Sequence, residues 1–388
     1  MTEKLYWKVP YDTQFEAKII KIIKEGIILD KTLFYPRSGN QANDIGHIIF
    51  NDREFEVKNV FSEGEEIIHE INPKELKKFK VGRRVKGILN WENRYALMKA
   101  HTSQHILSAL FMNKYGINTS RAFIEREEVM IQLERKVDEY QLQKVLIEFF
   151  TICTLKNMEI KPNVFSLDDA QKLGNKLRGN FPSGDLIRIV EIENLDFNCC
   201  GGTHIKNSTE IGPILIIEFK KNRDIKYLLG NRAIQGFSQI NMELLNLSDI
   251  LNTPLESYAR DVKKVIELNQ ALLNYQELLI NEFFKQKILN PDVVINNIKL
   301  YLISIEIEYK SLKKILDQLP ENSLLLIKSE EKKVRIISNT DKIKSDEIAE
   351  KFIENYRGKG GGNPRNAQCL LESEPKDILR DIQGFIKL

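Results

Sequence analysis

Short apolar runs alternate with polar turn clusters over the first ninety residues. Glu16-Ala-Lys-Ile-Ile-Lys-Ile-Ile23 and His47-Ile-Ile-Phe50 are β-rich, and such runs predict a small β-barrel or sandwich over residues 1–90. Between them, Thr32-Leu-Phe-Tyr-Pro-Arg-Ser-Gly-Asn-Gln-Ala-Asn-Asp-Ile-Gly46 is too polar and turn-rich for a strand. It reads as a substrate loop or as an ordinary hairpin connection. Residues 91–245 mix helices with strands. Arg94–Lys114 places Ala96, Leu97, Ala100, Ile106, Leu107, Leu110 and Phe111 on a helical stripe, and Leu186–Ile192 reads as a strand.

The pattern changes from Thr253 to Leu289. Pro254 sits at a helix start, and Leu255, Val262, Val265, Ile266, Leu268, Leu272, Leu273, Leu278 and Leu279 recur at helical spacing. This predicts a long amphipathic arm over residues 246–292, either paired in a coiled coil or packed on its own chain. Beyond Pro291 the runs Leu300–Ile307, Ser323–Lys328 and Lys333–Ser338 are strand-like and a helix follows, so residues 293–388 are expected to form a separate α/β domain. The whole reads as an α+β multidomain chain.

Composition narrows this picture modestly. With 388 residues, 42% of them hydrophobic, there is ample material for several cores. A net charge of +3 is only mildly basic, but the charge is clustered: Lys77, Lys78, Lys80, Arg83, Arg84 and Lys86 form one group, and Lys220, Lys221, Arg223 and Lys226 another. Either group suits a phosphate backbone or a solvated face. Four cysteines, no apolar leader in Met1–Lys8 and no apolar stretch near ~20 residues point to a reducing, soluble compartment, with the cytoplasm as the expectation and no membrane partner.

The candidate chemistry lies in two short motifs, His101-Thr-Ser-Gln-His105 and Cys200-Gly-Gly-Thr-His204. They use three of the five histidines in the chain, each motif with four-residue spacing, and supply the ligand set of a tetrahedral zinc site: His101, His105, Cys200 and His204. Cys199 competes with Cys200, but only Cys200 stands four residues from His204. The paired Gly201 and Gly202 indicate a turn where backbone comes close to something. The plainer alternative is a set of satisfied core histidines beside an inert cysteine. A second glycine run, Arg357-Gly-Lys-Gly-Gly-Gly-Asn-Pro-Arg365, offers bare amides flanked by Arg357, Lys359 and Arg365, a plausible phosphate cradle. It lacks the end of a P-loop and the spacing of a dinucleotide fingerprint, so no nucleotide cofactor is expected.

Taken in order, the two metal motifs, the Thr-x-Phe-Tyr-Pro loop with its Ser-Gly-x-Gln, the Glu210-Ile-Gly212 step and the Gly-Lys-Gly-Gly-Gly-Asn-Pro ending resemble the editing half of alanyl-tRNA synthetase. They also resemble its free-standing AlaX-type relatives, and the long form with a helical arm and a DHH-associated C-terminal domain matches nearly the whole length. The resemblance implies a zinc-containing deacylase that acts in trans on mischarged alanine tRNA, with serine the usual cargo and glycine the second; the long helix and C-terminal domain are expected to form a homodimer. Because the chain begins at the barrel, it is expected to lack an aminoacylation core.

The resemblance also assigns roles. Thr32 would touch the hydroxyl of serine; Gln41, Gly201, Gly202 and Thr203 would line the pocket near the terminal adenosine; Arg232 would sit close by. Lys220, Lys221, Arg223, Lys359 and Arg365 are the candidate tRNA contacts. Two positions depart from the pattern: Asn40 stands where the family prefers a further glycine before the glutamine, and Gln132 where relatives often carry aspartate. Four protein ligands also close a zinc site that catalysis usually keeps open, so Cys200 is loose, the coordination expands, or zinc shapes the pocket. Two other readings remain: a catalytically inactive, zinc-stapled tRNA-binding protein, and a DHH-type phosphoesterase, which the absence of any Asp-His-His motif disfavours.

Overall fold

A computed structural model describes residues 2–174, 177–179, 186–304, 317–329 and 332–387. The chain divides into two compact units, Met1–Leu247 and Ser248–Leu388. It is a multidomain α+β protein with several separate sheets.

The first unit opens on a seven-stranded antiparallel sheet, in the order Arg53–Val57, Gly46–Phe50, Arg84–Leu89, Gln14–Ile22, Gly26–Leu29, Glu66–Glu70 and Val60–Glu63. Alternation along Gln14–Ile22 turns Phe15, Ala17 and Ile19 inward, as a period of two requires. That strand pairs with Arg84–Leu89 through residues 14–18 and with Gly26–Leu29 through 19–22, and its register slips between Ile19 and Lys21. A bulge of this kind bends a sheet. The edge strands Arg53–Val57 and Val60–Glu63 are joined by two residues, so the sheet curls until its edges lie within roughly 11 Å of chain. No strand pairing joins them. Of the expected small β-barrel or sandwich, the structure shows a curled, open sheet whose two edge strands are not paired with each other.

Helix Trp91–Tyr115 follows directly. Asn90 caps its start by accepting from the Asn93 amide, and Gly116, in the left-handed region at φ 60°, ends it. Its apolar side chains share a core with the four-stranded sheet Thr119–Glu125, Glu128–Leu133, Asp224–Leu228 and Leu215–Lys220. The helix is buried on more than its apolar stripe: Thr102 and Ser103 are enclosed too, their hydroxyls donating to the Met98 and Ala100 carbonyls. A further sheet brings together Ile160–Ser166, Leu186–Ile192, Asp196–Cys199 and Leu177–Arg178. The Cys200 motif leaves the end of the third of these strands.

In the second unit, helix Tyr258–Lys287 is preceded by a 3-10 turn at Leu255–Ser257 with Pro254 before it. Only its last part, through Ile280 and Phe284, enters a core. Val265, Ile266, Leu268, Leu272, Leu278 and Leu279 are all exposed, so the helix is not buried on its own chain along most of its length.

The sheet beyond runs Val293–Ile295, Ile298–Ile303, Ser323–Lys328, Lys333–Asn339, Asn366–Leu371, Gly358–Asn363. Only Ile298–Ile303 and Ser323–Lys328 pair in parallel. The sheet is thus mixed, and tight hairpins such as Asn296-Asn297, with both φ values positive, hold neighbouring strands antiparallel. Residues 305–307 of the predicted run Leu300–Ile307 lie outside the described residues. The glycine run is itself an edge strand, not a loop, and one side of its backbone is spent on Asn366–Leu371. No described helix is long and apolar enough to cross a membrane.

Candidate metal centre

His101 and His105 stand one turn apart on helix Trp91–Tyr115, and the loop after Asp196–Cys199 delivers Cys200 and His204 to the same place. The donor atoms of all four lie within 4.8 Å of one another. The imidazole centroids are 4.9, 4.5 and 4.7 Å apart, and Cys200 Sγ is 3.4 Å from Nε2 of both His101 and His204. The three histidines are buried; Cys200 is the most open of the four.

Hydrogen bonds set the tautomers. Gln41 Oε1 lies 2.7 Å from His101 Nδ1 and also accepts from the Thr203 amide at 3.1 Å, while Gln41 Nε2 donates to Thr203 Oγ1 at 2.9 Å. His101 thus donates from Nδ1 and keeps its Nε2 lone pair toward Cys200. The Thr102 hydroxyl gives its proton to the Met98 carbonyl, so at 3.1 Å it accepts from His204 Nδ1, and His204 also turns a bare Nε2 inward. Such outer partners orient metal-ligating histidines in general.

His105 Nδ1 is buried without a hydrogen-bond partner. Burial pushes His101 down to about 3, with the Arg188 charge adding to the effect. Burial first, then the neighbouring imidazoles and arginines, holds His105 and His204 well below the ordinary histidine range. Burial pushes the Cys200 thiol up, against the pull of the Gly202 amide and Arg188. Three neutral imidazoles, two of them with lone pairs held inward, around one thiol fit a soft divalent ion such as zinc.

Gly202 is required by space. A Cβ there would fall 2.1 Å from His101 Cε1 and 2.9 Å from Gln41 Oε1, and its amide points at Cys200 Sγ at 3.3 Å. Gly201 is exposed, and its carbonyl accepts from Trp7 Nε1 at 2.8 Å.

Several supports of this centre escape a reading of the sequence. Arg94 and Asp44 form a fully buried pair at 2.5 Å that ties the polar loop to the helix; Asp44 also accepts from the Tyr35 amide at 2.6 Å. Arg178 pairs with Asp196 at 2.5 Å and reaches the His105 carbonyl. Glu210 gathers the hydroxyls of Tyr11 and Tyr95 and the amides of Lys206 and Asn207, bracing the loop just after His204. Arg188 crosses from the neighbouring strand to donate to the Cys200 carbonyl at 2.6 Å. Only the aspartate and arginine types were signals, and each partner lies too far along the chain for spacing to pair them.

The other candidate residues are spread more widely. Thr32 is fully buried, with its hydroxyl 2.7 Å from His69 Nε2 and accepting from the Phe34 amide at 3.0 Å. Arg232 pairs with Glu128 at 3.1 Å on the surface. Lys220 pairs with Glu218 at 2.7 Å, Lys221 occupies a left-handed hairpin turn at φ 52°, and Arg223 is 3.9 Å from Asp224. In the second unit Lys359 is exposed on the glycine strand and Arg365 pairs with Asp341 at 2.8 Å. Gln132, where an aspartate was the expectation, donates to Asp224 at 2.7 Å, a pairing an aspartate would replace with repulsion.

Residues 2–93 match the family model for class II (A) tRNA synthetases, and residues 187–227 match that for the threonyl and alanyl tRNA synthetase second additional domain. The loop carrying Cys200 and His204 falls inside the second match, an accessory domain of class II synthetases, whereas His101 and His105 lie between the two matches. The chain is 30% identical, over 97% of its length and 96% of the other's, to the alanyl-tRNA editing protein AlaX-L of Pyrococcus horikoshii, and it belongs to that family of alanyl-tRNA editing proteins. It is also 28% identical over 99% of its length to an alanine–tRNA ligase of Methanococcus maripaludis, of which it spans 44%. The C-Ala domain from Aquifex aeolicus alanyl-tRNA synthetase aligns with 25% of the chain at 18% identity and a TM-score of 0.21, too weak a likeness to carry an argument.

Proposed function

We propose that this protein is an aminoacyl-tRNA deacylase that removes a wrong amino acid, serine before glycine, from alanine tRNA, with zinc held by His101, His105, Cys200 and His204. The observation that carries this reading is the convergence of those four donors, with two histidines set by Gln41 and Thr102 to turn bare nitrogens toward the thiol. Bound there, zinc would supply Lewis acidity toward a carbonyl or a water. The protein's own residues do the remainder. Gln41 fixes the His101 tautomer and, through Thr203, the loop; Gly202 keeps the backbone against the ring; Cys200, the most open ligand, marks the side from which an ester can approach.

In this reading Thr32 meets the hydroxyl of serine by exchanging its bond to His69, and Arg232 faces the acceptor end by exchanging its bond to Glu128. Lys220, Lys221, Arg223, Lys359 and Arg365 contact the tRNA backbone. The exposed ion pairs of Lys220, Arg223 and Arg365 are weak enough to give way to phosphate. The uncovered stripe of helix Tyr258–Lys287 supports a homodimer, in which a second copy buries Val265, Ile266, Leu272 and Leu279. Sedimentation of wild type against Ile266→Lys, Leu272→Lys should show a dimer reduced to monomer; a wild-type monomer at micromolar concentration removes the dimer.

The functional test compares zinc-loaded wild type with Cys200→Ala, at matched folding, on serine-, glycine- and alanine-charged alanine tRNA. Release of serine or glycine that spares alanine and is lost in the variant is the expected result. Binding of tRNA without release from any of the three would leave a tRNA-binding protein on an editing scaffold.

A further inference from the structure

Three arginines are buried or largely buried in the first unit, and two of them meet a carboxylate: Arg94 meets Asp44 and Arg178 meets Asp196. Arg188 does not. The residue is 6% exposed, it donates from one terminal nitrogen to the Cys200 carbonyl at 2.6 Å, and its guanidinium carbon lies 5.8 Å from the centre of the Trp7 ring. No acidic side chain pairs with it among the described residues. A guanidinium carries five N–H donors, and a buried, uncompensated one is costly to a fold.

Its placement is directed. On strand Leu186–Ile192, Ile187 and Ile189 enter one core, while Arg188 takes the opposite side, across from Cys200. The charges point the same way. Three neutral imidazoles and a thiolate around a divalent ion leave one positive charge, and Arg188 adds a second beside the most open ligand.

We propose that Arg188 is the anion-receiving residue of this centre, taking a negatively charged oxygen of the acceptor end of the aminoacyl-tRNA. This rests on the deacylase reading above. Two oxygens of that substrate have the required chemistry. One belongs to the phosphodiester on the 5′ side of the terminal adenosine. The other is the ester carbonyl oxygen: as water oxygen bonds to the ester carbon it becomes an oxyanion, and its collapse breaks the bond to the ribose oxygen, which leaves with a proton from the water. Trp7, pinned through Gly201, covers the guanidinium and keeps it from bulk water.

The test uses the full, zinc-loaded chain as wild type, Arg188→Gln and Arg188→Lys, with zinc content measured in each. Calorimetry compares binding of an amide-linked seryl-adenosine with and without a 5′-phosphate; steady-state kinetics follow release of serine from charged tRNA. If the phosphodiester is the partner, wild type prefers the phosphorylated compound by roughly tenfold or more and Arg188→Gln loses that preference. If the oxyanion is the partner, the two compounds bind alike and Arg188→Gln lowers kcat by about 100-fold at unchanged KM. In either case Arg188→Lys recovers part of the loss. Unchanged preference and unchanged rate at equal zinc content overturn the assignment, as does a rate loss fully accounted for by lost zinc. A wild type that releases no amino acid from any charged tRNA overturns the deacylase reading, and the assignment falls with it.

Discussion

Two glycine motifs, one in each unit, look alike in the sequence and do opposite things. Gly202 stands against the His101 ring, where a methyl group would fall 2.1 Å from Cε1; Gly360 stands against a neighbouring strand, where the same group would fall 2.2 Å from the Gln368 carbonyl oxygen. Both motifs mark places where backbone comes close to something. In the first the neighbour is a candidate metal ligand, and the glycine makes room for chemistry. In the second the neighbour is a strand of the same sheet, and the glycines let two backbones press together. A glycine run reports a close approach and leaves open what approaches.

The largest expected effect separates these roles. Gly202→Ala should cost more than ~100-fold in zinc affinity, since the added methyl pushes His101 and Gln41 off their positions. Gly360→Ala should leave zinc content untouched and destabilise the second unit by ~1–3 kcal/mol through overpacking, seen by thermal denaturation. Equal zinc loss in both variants would break the contrast. A step smaller, Gln41→Ala removes only the partner of His101 and should weaken zinc binding by ~10–100-fold while the fold persists, measured by competition with a chelator.

Acid should also tell the units apart, because all five histidines lie before residue 248. Burial holds His69 down to about 4, with the bond to the Ile27 carbonyl opposing it. The unfolded chain takes up that proton near pH ~6.5 and the folded one only near 4, so the contribution is complete above ~6.5 and drains as pH falls toward 4, by up to ~1.4 kcal/mol per pH unit. Urea titrations from pH 7 to 4.5 should show this slope in wild type and a shallower one in His69→Gln; identical slopes would remove His69 as its source. The smallest effects concern tRNA. Alanine at Lys220, Lys221 and Arg223 together, or at Lys359 and Arg365 together, should lower the dependence of log affinity on log salt by about one for each phosphate deprived of its cation. A change in only one of the two sets would show which unit meets the backbone.

Much of this was legible from the chain. Helix Trp91–Tyr115 follows from an apolar stripe and its caps, and His101 and His105 had to share a face because they are four residues apart. The partnership of His101 with Gln41 was expected only as a shared pocket; that Gln41 sets a tautomer could not be read, since sixty residues separate the two. The choice between barrel and sandwich turned on pairing: alternation tells which side chains face inward, and it is silent on whether the last two edges meet. Arg188 lay hidden inside a run of β-branched residues that read only as a strand.

What the sequence determined by itself is whatever depends on local spacing: the helices, the inward and outward alternation of strands, and a candidate set of three histidines and one cysteine in two four-residue pairs. The tertiary structure alone decided which distant groups meet. It placed Gln41 and Thr102 behind the histidines, a carboxylate beside Arg94 and Arg178, and, among the described residues, none paired with Arg188. The reason is physical: spacing constrains neighbours within a turn or a strand, whereas the partner of a buried charge is chosen by packing between elements, and no periodicity along the chain records that choice.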